Sequence, residues 1–273
     1  MDDQSISMSK GSLRLGLFVL AGLVLQAGAS AADLARTLQK IHPYVATGMT
    51  WDTNLFRVED NDQAKLLLGT RSKNDRYLTL ETGFDTELAV SRQRFLLDGR
   101  IHRDKYNRFD ELDYTGGDAR ALWKWVRGKL WSGDLGYKYR RSLRSFANQT
   151  VPKKDIREEH RVFGKADRWL TDRWRAGVLG NWSEVDFDET DTLKRSRGEG
   201  GVGIDYVTQA GNSVGFQSTY TNADFDNAPS NDYSQYQLGP RMDWRPTGKT
   251  RIQAKAGYTN RSFDDNSSPR GQK

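Results

Sequence analysis

Cysteine is absent from the 273 residues, which removes disulfide scaffolds, thiolate metal sites and cysteine nucleophiles together. After residue 25 no apolar run is long enough to cross a membrane as a helix, so helical membrane proteins are excluded. Hydrophobic residues make up only 36% of the chain, with a mean hydropathy of −0.79, too little apolar side chain for two conventional cores. Histidine is limited to His42, His102 and His160, on separate segments without metal-ligand spacing. The formal charge is +6, from 42 Lys+Arg against 36 Asp+Glu. No Lys/Arg run forms a basic stripe, so a nucleic-acid partner is not expected.

What is present begins with an export signal. Lys10 and Arg14 precede the apolar run Leu15 to Leu25, and Ala29-Ser30-Ala31 supplies small residues for cleavage, so residues 1–31 read as a signal peptide. Export of a cysteine-free chain points to a bacterial envelope. Residues 32–43 read as a short periplasmic segment and 44–273 as one β-domain.

Period two dominates that domain. From Leu78 the even positions are Leu78, Leu80, Thr82, Phe84, Thr86, Leu88 and Val90, a face without charge, while Glu81, Asp85 and Glu87 fall on the odd face. Alternation of this length suits a tilted strand crossing a bilayer. Further strands are expected near 44–56, 95–103, 112–125, 130–140, 157–169, 173–183, 199–207, 213–221, 235–245 and 251–258, eleven in all. The second half repeats at a spacing of 38 residues: Trp182, Tyr220 and Tyr258 align, as do Phe187, Phe225 and Phe263. Each repeat is a hairpin, two strands with one short turn and one longer loop.

Short links at 91–93, 127–129, 171–172, 209–211 and 246–249 alternate with longer polar loops at 58–73, 144–155, 185–196 and 223–231. Trp123, Trp125, Trp131, Trp169, Trp174, Tyr206 and Trp244 flank the short turns, and Trp182, Tyr220 and Tyr258 lie toward the long loops. Short turns, long loops and two aromatic girdles give the expected fold: all-β, an antiparallel up-and-down transmembrane outer-membrane β-barrel. An odd strand count, with the last strand running outward, predicts a reading frame that continues beyond Lys273 for at least one more strand.

The facing assigns a lumen. Candidate inward residues are Tyr77, Glu81, Asp85, Asp98, Arg100, Arg120, Lys124, Lys138, Arg161, Lys165, Arg175, Arg241 and Lys255, accompanied by Asp134, Asp205 and Asp243. They read either as a cross-strand charge ladder or as the lining of a hydrated path for a polar or charged polymer. Arg substitution is expected to impair insertion at Leu80 or Phe84 and to be milder at Thr79 or Gly83.

Other motifs carry little. Gly211-Asn212-Ser213-Val214-Gly215 matches a nucleophile elbow, but a strand follows and no histidine lies downstream. Gly198, Gly200 and Gly203 match a dinucleotide fingerprint, again continued by strand. Asp186, Asp188, Glu189 and Asp191 could approach calcium, as could Asp224 and Asp226, but they lack the glycine and spacing that wrap the ion. No catalytic residue, cofactor or metal is expected.

The segment His42-Pro43-Tyr44-Val45-Ala46 through Trp51-Asp52-Thr53-Asn54-Leu55-Phe56-Arg57 resembles the exosortase-associated exopolysaccharide biosynthesis outer-membrane proteins of the EpsL family. Asp167-Arg168-Trp169 and Asp243-Trp244-Arg245-Pro246, before tight turns, look like the same family. The resemblance implies a barrel that passes or assembles exopolysaccharide. Its implied partners are outer-membrane lipid, exopolysaccharide and periplasmic or inner-membrane polysaccharide export proteins. A general porin or solute channel, and a structural or adhesive barrel, are the alternative readings.

Overall fold

The computed structural model describes residues 41–149 and 152–263. The expected signal peptide, most of the expected periplasmic segment and residues 264–273 lie outside the described residues. The strands are β1 His42–Asp52, β2 Asp75–Val90, β3 Gln93–Tyr106, β4 Tyr114–Arg127, β5 Trp131–Leu143, β6 Ile156–Trp169, β7 Trp174–Phe187, β8 Arg195–Val207, β9 Ser213–Phe225, β10 Tyr233–Trp244, β11 Ile252–Lys255 and β12 Tyr258–Phe263. They form one sheet in which strands adjacent in sequence pair antiparallel from β1 to β11, with β12 also on β10. The architecture is therefore all-β, antiparallel and up-and-down, the topology of outer-membrane barrels.

The expected count of eleven becomes twelve segments for a local reason. Lys255 pairs with Arg241 and Tyr258 with Leu238, so β11 and β12 keep one register on β10. Between them Ala256 donates its N–H to Pro240 O at 3.2 Å, but Pro240 has no N–H to return. One strand is thus split opposite a proline. The strands also outrun their expected limits: β8 begins at Arg195 rather than Glu199, and β7 and β9 end on Phe187 and Phe225. The first strand takes in His42 and Pro43.

The short turns follow from backbone chemistry. Ser91, at φ 56°, turns β2 into β3, and Gly128 and Gly211, at φ 63° and 79°, supply the left-handed residues of two others.

At the opposite end the loops fold onto one another, which strand periodicity does not foretell. The loop expected at 58–73 contains a helix, α1 Asn61–Leu68. Asp60 caps it, accepting from Asp62 N and Gln63 N at 2.9 and 2.7 Å, and Gly69 ends it at φ 71°. Ala64 of α1 is buried with Leu55, Phe56, Phe109, Leu112 and Phe146, a small core drawn from three consecutive long loops. The Phe56 ring lies 4.7 Å from those of Phe109 and Phe146. Aspartates lace the rim. Asp75 accepts from Arg108 N and Phe109 N, each at 3.1 Å, and Asp155 accepts from Glu189 N at 3.0 Å and Thr190 Oγ1 at 2.7 Å. Buried carboxylates with several donors thus tie the first long loop to the second and the third to the fourth.

Candidate functional site

The two faces of the sheet differ in chemistry because side chains alternate along every strand. On β7 the even residues Trp174, Val178 and Trp182 are exposed, whereas Arg175, Leu179 and Asn181 are half-buried. Carried through the register, the first face bears Val45, Leu80, Phe84, Ile101, Leu135, Val162, Val202, Phe216 and Leu238, all exposed and apolar. Trp131, Trp174 and Trp244 sit at its short-turn end; Trp51, Trp182, Tyr220 and Tyr236 sit nearer the long loops.

The register places all thirteen candidate residues on the other face, with Asp134, Asp205 and Asp243. They fall into cross-strand rows. One row runs Asp98, Arg120, Lys138, Arg161, and the next toward the long loops runs Arg100, Asp118, Arg140, Glu159. Lower on the same strands, Lys124 opposes Asp134 and Asp134 opposes Lys165. A fourth row joins Arg175, Asp205, Gly215, Arg241 and Lys255 across five strands.

Ion pairs run along these rows and between them. Arg120 contacts Asp98 at 2.6 Å, and Arg100 holds Asp118 at 2.6 Å and Glu81 at 3.5 Å. Lys165 lies 3.4 Å from Asp134, Arg157 2.6 Å from Glu159, and His42 3.2 Å from Asp85. Most of these side chains remain partly exposed, so each pair contributes about 0–1 kcal/mol. Asp205 is different. It is 3% exposed and receives both Arg175 at 3.1 Å and Arg241 at 2.8 Å.

Several placements differ from the sequence reading. Tyr77 shares the charged face but lies at the rim, its ring 4.8 Å from Tyr106 and packed against the loop core rather than in mid-wall. Gly83 is a poor site for a mild substitution, because a Cβ there would meet Gly99 O at 2.7 Å and the Tyr44 ring at 2.8 Å. Thr79 is engaged too, donating to Asp104 at 2.6 Å. The reading also omitted Asp118, Arg140, Glu159 and Phe163, which the same parity signal reaches: Arg140 follows Lys138 by two residues on β5.

Beyond the ladder, Ser213 begins β9 after a tight turn, and Gly198, Gly200 and Gly203 lie within β8. His102 Nε2 meets Tyr114 Oη at 3.2 Å and His160 Nδ1 meets Tyr137 Oη at 2.8 Å. In the acidic loop Glu189 pairs with Lys153, and Asp191 lies 2.8 Å from Lys194, whose ammonium that hydrogen bond holds above its ordinary pKa. Among the described residues no group of three or more His, Asp or Glu is arranged to hold a metal ion.

No protein-family model and no curated protein matches the chain. Among solved structures it is similar to the β domain of the Bordetella autotransporter Brka, at 14% identity, over 81% of this chain and 93% of that one, with a TM-score of 0.35. A likeness that slight carries no argument; the topology stands on the chain's own strand ladder.

Proposed function

We propose that this chain forms the wall of an outer-membrane β-barrel that passes or helps to assemble exopolysaccharide, without chemistry of its own. One observation carries the membrane reading: a continuous apolar face, aromatic at both ends, backs a face built of ion pairs. Exposed apolar area of that extent is unfavourable in water and favourable against lipid. Backbone pairing on both sides, as in β2 to β10, lets so polar a chain cross hydrocarbon. The opposite face, rich in both signs of charge, suits a wetted wall. The exopolysaccharide part of the reading rests on the resemblance at His42 to Arg57.

Two measurements test it. The expressed chain should fractionate with the outer membrane and migrate as a heat-modifiable band; recovery in the soluble periplasm overturns the membrane reading. Deleting the gene should abolish or shorten the secreted polysaccharide. Unchanged polymer, together with single-channel conductance in planar bilayers, would instead assign a general porin.

A further inference from the structure

Among the described residues, three cations that stand together on the charged face enter no ion pair with a carboxylate. A hollow of about 320 Å³ opens on this face over β3, β4, β5 and β6. Each of its three carboxylates already has an arginine: Asp98 has Arg120, Asp118 has Arg100, and Glu159 has Arg157. Lys138, Arg140 and Arg161 line the same hollow and enter no ion pair with a described residue. Arg161 donates instead to the neutral Asn181 at 2.6 Å.

A ladder built only for stability would alternate its signs. Here Arg120 opposes Lys138 and Lys138 opposes Arg161 on consecutive strands, an arrangement of like charges that is unfavourable by itself. Lys138 Nζ and Arg161 Cζ lie 5.5 and 5.8 Å from the Phe163 ring centroid. The ring lies close over Gly136, where a Cβ would meet it at 2.4 Å. The ring steadies both cations without neutralising them. All three are exposed to the hollow. Register partners stand about 5 Å apart and successive same-face residues about 7 Å apart, a pitch comparable to that of sugar units along a chain.

We propose that Lys138, Arg140 and Arg161 bind the carboxylates of an acidic polysaccharide, so that the polymer handled is a polyanion rather than a neutral glycan. The proposal rests on the reading of this face as the wetted wall of a polysaccharide passage. Surplus positive charge there is balanced when uronate-type carboxylates lie along the row, and the paired arginines around it keep the local carboxylates from competing.

Isothermal titration of the full chain in detergent, with hexagalacturonate and maltohexaose as probes, tests it. Hexagalacturonate should bind, weaken as salt screens the charges, and lose about tenfold or more in affinity in the triple variant Lys138→Gln, Arg140→Gln, Arg161→Gln. Maltohexaose should not bind measurably. Lys249→Gln, in a short turn, should leave binding unchanged. If the triple variant loses its heat-modifiable fold, Arg140→Gln alone replaces it, with a smaller loss expected. Equal affinity for the two probes, no binding of either, preference retained in the variant, or monomeric galacturonate binding as tightly as the hexamer each overturns the proposal. Outer-membrane fractionation and polysaccharide loss on deletion are read separately, so the broader function can stand while this inference fails.

Discussion

Arg241 of β10 forks the carboxylate of Asp205 on β8, with Nε and Nη2 each 2.8 Å from an oxygen, across the strand that separates them. The residue between them in the row is Gly215 of β9. A side chain there would collide with Asp205 Oδ1 and Ile204 O, both 2.3 Å from where its Cβ would lie. The glycine lets two charged groups meet over a strand that contributes only backbone.

Gly215→Val should therefore separate Arg241 from Asp205 and leave a buried carboxylate with one arginine instead of two. A loss of about 2 kcal/mol is expected, seen as a lower temperature for conversion of the heat-modifiable band. Thermal behaviour identical to wild type would show that the fork contributes nothing to stability.

Phe84→Arg should impair insertion, because Phe84 is exposed on the apolar face midway along β2 and a charge near the bilayer midplane costs about 2–4 kcal/mol. Ala46→Arg, on the charged face opposite Glu81, should insert normally. Comparable losses of the two variants from the outer-membrane fraction would contradict the assignment of faces.

Phe56→Ala should loosen the long-loop end while sparing the sheet. Phe56 is 4% exposed and links the first long loop to Phe109 and Phe146, so its removal costs that core about 3–5 kcal/mol. Limited proteolysis should cut within residues 53–74 far faster than in wild type, while amide exchange in the strands stays unchanged. An intact loop under the same protease would sink this account of the rim.

Pro240→Ala should restore a backbone donor opposite Ala256. A new N–H to Ala256 O would be worth about 1 kcal/mol, and slower exchange should appear at residues 252–263 without a register change. Exchange rates unaltered in that segment would place the break in β11 and β12 elsewhere than in the missing proline donor.

The sequence by itself determined the strands, their turns and which residues share a face. That information is local: consecutive side chains on extended backbone point to opposite sides, so Leu78 to Val90 declares its two faces without reference to any neighbour. The 38-residue repeat likewise marks real ends, since Phe187 and Phe225 close β7 and β9. Parity could have reached Arg140 and Phe163 as readily as Lys138.

The tertiary structure decided what those faces do to one another. Whether Lys138 lies beside a carboxylate or beside Arg161 depends on register, and a shift by two residues keeps the same alternation while changing every partner. The bond from Arg241 to Asp205 needs a glycine on the strand between them, a relation among three strands that no one strand's pattern contains. The helix Asn61–Leu68 and the core around Phe56 arise where loops distant in sequence are brought to one end of the sheet. Their burial exists only after the strands have paired, which is why a strand-period reading leaves that end blank.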